Sequence, residues 1–248
     1  VTPENLPPIT FAQLAEHTAG LPRLPGNIAP TDPHNPYADY SVENMYAWLA
    51  TGKVDRTPGE ESVYSNFGVG LLGHLLALKQ GSSYEELARQ RLLRPLSMDH
   101  TAIALSEEQK ARLALPHERK DKVASNWDIP TLAGAGGWRS TLPDMTAFLR
   151  AAMGDAPSPL DRAFALAVKP RFKVQDGVQI GLSWMITDSS LAGRPPLVWH
   201  NGQTGGYASF LGFRQDGSLG IVLLCNTASD AVDQAAVDIM RDIAAMGD

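Results

Sequence analysis

The stretch that decides the fold is YASFLGFRQDGSLGIVLLCN, residues 207–226. Its two apolar, aromatic-rich runs, 207–214 and 219–226, flank the dipeptide Asp216-Gly217, which is typical of a tight hairpin turn. The stretch therefore predicts two adjacent antiparallel strands. Two further β-type runs, 178–187 and 197–201, come before it, and turn residues separate them.

Outside these runs the chain has a helical pattern. A terminal helix is predicted over 229–246, with one apolar stripe formed by Val232, Ala236, Ile239, Met240 and Ile243. Upstream, helices are predicted at 9–17, 41–51, 66–80, 82–93 and 143–153, while the charged stretch 107–128 is predicted to be a surface loop. Helices followed by an antiparallel meander and a closing helix indicate an α+β fold. We divide it into a mainly helical region, 1–170, and a sheet region, 171–248.

Composition excludes several classes of function. The 248 residues carry a formal net charge of −6 with no basic block, which disfavours nucleic acid as a partner. The single cysteine, Cys225, excludes an internal disulfide. No apolar run is long enough to predict a membrane span. The six histidines show no i, i+4 pair and no HExxH, so no metal site is predicted.

The run Gly220–Cys225 is apolar without alternation, as in strands that are covered on both faces. No later segment can supply another strand, because only a helix follows. We therefore expect that a pairing strand is missing from this chain and lies upstream of Val1. The alternative is a sheet edge covered by the terminal helix or by a loop.

Residues 68–73, GVGLLG, match the dinucleotide-binding fingerprint in letters only. The fingerprint requires a preceding strand, and the preceding residues 58–66 have the composition of a turn-rich loop. The interpretation is a buried helix that uses small residues for close packing. No Gly-x-Ser-x-Gly motif is present, which argues against an α/β-hydrolase.

Two loops have residue types suited to chemistry. Tyr64-Ser65-Asn66 lies between a Pro-Gly turn and the predicted helix, so that the phenol and the amide can point into one cleft; the alternative is a helix N-cap beside a core tyrosine. The stretch 200–207, HNGQTGGY, ends an apolar strand with two polar side chains and three glycines. It suits a backbone close to a ligand, or simply a glycine-rich hairpin.

Five stretches in order resemble the serine β-lactamase and penicillin-binding-protein superfamily, in the branch of class C β-lactamases, D-alanyl-D-alanine carboxypeptidases and family VIII esterases. They are LAEHTAGLP (14–22), the PG…YSN segment (58–66), RPLSMDHT (94–101), GGWRSTLPDM (136–145) and His200-Asn201-Gly202, which falls where the family carries Lys-Thr-Gly or His-Thr-Gly. The resemblance extends over nearly all of the chain. It favours the chemical interpretation of both loops.

The resemblance implies acyl transfer on an amide, lactam or ester carbonyl, with a small-molecule or peptide substrate and no cofactor. It makes Tyr64 a proton relay and places His200 across the cleft from it. The implied substrate-binding residues are Asn66, Asn201, Gly202 and Gln203, the last through its backbone N–H as an oxyanion donor. A histidine in place of the family's lysine favours a peptidase or esterase over a β-lactamase.

The family's nucleophile motif, Ser-x-x-Lys, is missing: no serine or threonine in the sequence is followed by lysine three residues later. By resemblance that motif, an N-terminal helix and the first two strands lie upstream of Val1. We expect a fragment of a serine hydrolase that is inactive alone. The alternatives are a nucleophile-free module that binds peptidoglycan or a protein partner, and one half of a split or swapped enzyme completed by an N-terminal fragment or a second copy. Relatives are exported, so a periplasmic or secreted location is expected.

Overall fold

The computed structural model describes residues 7–246 apart from 55, 120–121, 156 and 189–194. Its helices are α1 (Phe11–Ala15), α2 (Val42–Thr51), α3 (Asn66–Gln80), α4 (Tyr84–Ala88), α5 (Glu107–Ala111), α6 (Leu142–Met153), α7 (Asp161–Ala167) and α8 (Ala231–Met246). Its strands are β1 (His117–Arg119), β2 (Lys122–Val123), β3 (Phe172–Gln175), β4 (Val178–Ile180), β5 (Met185–Thr187), β6 (Leu197–Gln203), β7 (Ala208–Arg214) and β8 (Gly220–Cys225).

Strands β3 to β8 form one antiparallel sheet in chain order, and β1 and β2 form a separate pair. The predicted hairpin at Asp216-Gly217 joins β7 to β8, with Phe213 opposite Gly220. Gly217 supplies the positive φ of 75° that this turn needs. The α+β prediction is confirmed, whereas the division at residue 170 stays a prediction.

The predicted helix starts are stabilised by side-chain caps. Thr10, Ser41, Ser65 and Thr141 each accept a hydrogen bond from a backbone N–H in the first turn of α1, α2, α3 and α6. Helix α3 spans the predicted 66–80, but it is buried on one side only, since Leu78 is 55% exposed.

Three apolar clusters hold the described part together. The first packs α1, α2 and α3 around Leu14, Met45 and Phe67. The second places α6 and α7 against the sheet at Trp184 and Val198. The third lies between α8 and the sheet, and its buried members are Leu197, Ala208, Phe210, Val232, Ala236 and Met240.

Several local predictions were wrong. The stretch 107–128 contains α5 and the β1–β2 pair, because Ser106 and Gln109 form a capping box that starts a helix there. The run 178–187 is two strands, since between them the backbone N–H of Ser183 donates to the Ala15 carbonyl. Strand β3 was not predicted. On α8, Ile239 and Ile243 are 40% and 48% exposed, so the buried stripe is narrower than predicted.

Strand β8 lies at one edge of the described sheet. Ile221, Leu223 and Cys225 pack on the third cluster beside α8, and Val222 packs on the second cluster. Helices on both faces therefore explain why the run is apolar on both sides, and the expected pairing strand at its edge stays a prediction. Leu224 nevertheless stays 46% exposed.

Candidate active site

The loop that carries Tyr64 is attached to the segment after α1 by hydrogen bonds on both sides of the tyrosine. The Val63 N–H donates to the His17 carbonyl at 2.8 Å, and the Ser65 N–H donates to His17 Nδ1 at 3.1 Å. The Ser65 hydroxyl donates to the Pro22 carbonyl at 2.6 Å and caps α3 by accepting from the Gly68 N–H. Tyr64 is thus held at the N-terminus of α3, 38% exposed.

His17 makes the main contacts that hold the loop of Tyr64. It is 4% exposed, has a positive φ of 58°, and packs its ring against Tyr64 at 4.3 Å between centroids. Because the Ser65 N–H is a donor, Nδ1 of His17 must accept, and Nε2 carries the proton of the neutral ring. Burial and, to a smaller extent, the nearby His200 together lower the pKa of His17 to about 4, so His17 is neutral at pH 7.

His200 faces Tyr64 from the end of β6, with 6.2 Å between the ring centroids. Strand β6 pairs with β5 only over Leu197–Trp199, but it pairs with β7 over its whole length. Among the described residues, the end of β6 from His200 onward therefore has one neighbouring strand. Its other backbone edge is open beside Tyr64.

The His200 ring has a defined tautomer. Its Nδ1 lies 2.6 Å from the Asn201 carbonyl oxygen, which can only accept, so Nδ1 carries the proton and Nε2 of the neutral ring is an acceptor. Burial lowers the pKa of His200, while that carbonyl and the Asp233 charge act in the opposite direction. A neutral His200 can therefore accept a hydrogen bond or a proton through Nε2.

Tyr64 itself remains a phenol at neutral pH. Partial burial raises its pKa, and the guanidinium of Arg23, which lies 5.2 Å from the ring centroid, opposes that increase. The pair formed by Tyr64 and His200 thus combines a hydroxyl that can donate a proton with an imidazole that can accept one.

The other predicted site residues differ in their local environments. Asn66 is the first residue of α3 and directly follows the capping serine. The amide of Asn201 donates to Asp233 of α8 at 2.6 Å, so its side chain is held by that helix. A Cβ at Gly202 would lie 2.8 Å from Ser209 Oγ, so a larger residue there would make the Ser209 hydroxyl move aside. The substrate roles of Asn66, Asn201, Gly202 and the Gln203 N–H stay predictions.

The glycines after Gln203 form the hairpin loop between β6 and β7, and their close contacts are with the protein. A Cβ on Gly205 would lie 2.5 Å from the Trp127 indole nitrogen, and one on Gly206 would lie 2.3 Å from Pro116. Trp127, His17 and Arg23 were not predicted as site residues from the sequence. The one available signal was that His17 lies inside the matched stretch 14–22.

Comparison of the sequence with known protein families and relatives agrees with the fold and with this geometry. The Beta-lactamase family matches residues 2–245. The chain belongs to the Beta-lactamase family. The D-alanyl-D-alanine-carboxypeptidase/endopeptidase AmpH of Escherichia coli K12 is 30% identical over 84% of this chain and 55% of its own length. A Beta-lactamase of Pseudomonas fluorescens is 28% identical over 73% of this chain and 59% of its own. The chain therefore spans little more than half the length of these relatives.

Solved structures show the same fold. A beta-lactamase/D-alanine carboxypeptidase from Pseudomonas syringae superposes with a TM-score of 0.78 at 22% identity, covering 93% of this chain and 70% of that one. A class C beta-lactamase gives 0.78 at 21% identity, covering 92% and 67%. The family resemblance inferred from the motifs is confirmed.

The described residues contain no cluster of three potential metal ligands, and none of their helices is long and apolar enough to cross a membrane.

Proposed function

We propose that this chain supplies the acid–base half of an acyl-transfer site, with Tyr64 as the proton relay and His200 as its neutral partner. The observation that supports it best is the approach of the two rings, at 6.2 Å between centroids, beside the open backbone edge of β6. Tyr64 accepts the proton of an attacking hydroxyl as its own phenol proton passes to Nε2 of the neutral His200, and the reverse transfer then delivers a proton from Tyr64 to the leaving group.

The attacking serine comes from a segment that precedes residue 1 in a longer polypeptide. Two serines near Tyr64 already donate to backbone carbonyls: Ser62 to Glu16 at 3.2 Å and Ser65 to Pro22 at 2.6 Å. Neither is followed by lysine at the third position. The chain alone is therefore inactive.

In the complete site the serine attacks an amide, lactam or ester carbonyl, and water hydrolyses the resulting acyl-enzyme. The Gln203 backbone N–H and the serine's own N–H stabilise the oxyanion, and Asn66, Asn201 and Gly202 border the substrate. A neutral His200 in place of lysine favours a peptide or ester substrate. From the family resemblance we also propose a periplasmic or secreted location.

The preceding segment completes the sheet at β8. Exposed apolar side chains occur on both elements here: Leu224 on β8, on the sheet face opposite α8, and Val237, Ile239 and Ile243 on α8. An unpaired apolar edge of this kind is prone to aggregate unless it is covered. A first strand and an N-terminal helix would cover it. A second copy that exchanges these elements would serve equally.

A binding module is the second candidate function, favoured by the missing Ser-x-x-Lys motif. The deciding experiment expresses the full reading frame and measures hydrolysis of a p-nitrophenyl ester and of an acyl-D-alanyl-D-alanine peptide. We expect turnover, and Tyr64→Phe lowers kcat by about 10²- to 10⁴-fold. The control is Tyr46→Phe, which removes a surface hydrogen bond to His74. Unchanged kcat in Tyr64→Phe refutes the relay, and a reading frame without Ser-x-x-Lys supports the binding module.

A further inference from the structure

Arg23 has an unusual position for an exposed arginine. Its guanidinium lies over the ring of Tyr64 at 5.2 Å from the centroid. Among the described residues it forms no ion pair with a carboxylate. Elsewhere in this acidic chain, arginines such as Arg139 and Arg171 are paired, with Asp128 and Glu16.

Arg23 lies near other aromatic residues besides Tyr64. Its charge also acts on the phenol of Tyr37. The Tyr37 ring packs edge-on against Trp127 at 5.4 Å, and Trp127 in turn touches Gly205 in the loop that follows β6. The loop that contains Gly205 directly follows β6, and β6 carries His200, whose ring faces Tyr64. These contacts therefore connect Arg23 with both residues of the candidate site. A second guanidinium, that of Arg139, also reaches this region by donating to the Trp127 carbonyl, but it is paired with Asp128, whereas Arg23 lies against the ring of Tyr64.

We propose that Arg23 is the cation of this site, and that its guanidinium binds the carboxylate of an anionic acyl substrate above the face of Tyr64. This inference rests on the proposed function for the identity of the cleft. It explains why a neutral histidine is tolerated at position 200, because Arg23 supplies the positive charge from a different element, the loop after α1.

The chemistry of the group fits a carboxylate. A guanidinium that packs one face on an aromatic ring keeps its edge N–H groups free, and these match the two oxygens of a carboxylate. The net charge of −6 makes the rest of the molecule unfavourable to anions, so the local cation decides whether an anionic group is accepted.

The test uses this chain labelled with ¹³Cζ-tyrosine and needs no turnover. The Tyr64 signal is assigned by its loss in Tyr64→Phe. Phenylacetate and phenylacetamide serve as matched anionic and neutral probes, titrated at constant ionic strength. We expect phenylacetate alone to move the Tyr64 signal, with about two- to fivefold weaker binding in Arg23→Gln and only partial recovery in Arg23→Lys, which keeps the charge but not the planar fork. Arg162→Gln, an exposed change on α7, is the control and leaves binding unchanged.

The tyrosine titration gives a second readout that a merely structural role would not move. Without the guanidinium, the pKa of Tyr64 rises in Arg23→Gln and not in Arg162→Gln. The proposal is overturned if phenylacetate moves the Tyr64 signal equally in the wild type and in Arg23→Gln, if phenylacetamide binds as well as phenylacetate, or if neither probe moves that signal. Failure of the longer polypeptide to hydrolyse esters would refute the proposed function and leave these binding results intact.

Discussion

The rings of Tyr64 and His200 lie 6.2 Å apart between centroids, but the molecule holds the two residues in different ways. The Tyr64 loop is attached through buried groups, with His17 4% and Ser65 3% exposed. The end of β6 that carries His200 is exposed from Asn201 to Gln203 and is paired on one side only. The tyrosine is therefore fixed by the core of the helical region, and the histidine by one neighbouring strand and by surface contacts.

This difference fits the roles proposed for the two residues. A proton relay requires a fixed hydroxyl, which a buried hydrogen-bond network provides. A strand end with an open edge can adjust to a substrate that lies along it. Each of the following changes should affect one side of the cleft and spare the other.

The largest effect is expected from Phe67→Ala, which removes a fully buried ring in the first turn of α3. Phe67 packs edge-on against Trp48 at 4.7 Å. We expect the free energy of unfolding to fall by about 3–5 kcal/mol in urea denaturation. Phe11→Ala, at a 42% exposed position, is the control and should cost about 0.5 kcal/mol or less. An equal loss in the two variants would contradict this packing.

The pH dependence of stability tests the buried state of His17. Its folded pKa, about 4, is below the unfolded value of 6.5, so between these pH values the unfolded chain binds the extra proton. The contribution of the neutral His17 to the free energy of unfolding is fully present above pH 6.5. It is lost as the pH falls towards 4, by about 3 kcal/mol in total. His17→Asn keeps an acceptor for the Ser65 N–H and should flatten this part of the pH profile. A profile unchanged by His17→Asn would show that another group causes it.

Ser65→Ala removes the cap of α3 and the bond to the Pro22 carbonyl. We expect a loss of about 1–2 kcal/mol in thermal or denaturant unfolding, together with a shift of the Tyr64 ring signal in NMR spectra. Ser83→Ala removes the exposed cap of α4 and serves as the matched control, with a smaller loss and no change at Tyr64. A Tyr64 signal that stays in place would mean that the cap does not fix the loop.

The smallest effect on stability is expected on the strand side. Asp233→Asn removes a charge that raises the pKa of His200, so that pKa falls further, while stability changes by less than about 1 kcal/mol. An NMR titration of the His200 imidazole measures the change, with Asp238→Asn on the same helix as the control. A rise in the His200 pKa would contradict the assigned contact.

Local patterns predicted much of the fold. The hairpin at Asp216-Gly217 and the bounds of α3 follow from turn chemistry and capping, which act over a few residues. The break between β4 and β5 could not be predicted, because Ser183 leaves the strand to bond Ala15, far away in sequence. At the site, Tyr64 and His200 were found through motif resemblance. His17 and Arg23 were missed because their roles depend on contacts with a loop more than 40 residues away.

The proposed lack of a nucleophile is tested most directly by an intact-mass measurement after this 248-residue chain is incubated with a fluorophosphonate and, separately, with a labelled penicillin. We expect an unmodified mass for the chain alone, and a covalent adduct on the serine of the preceding segment when that segment is added. An adduct on the 248-residue chain by itself would show that it carries its own nucleophile, and would refute the proposal that the serine comes from a preceding segment.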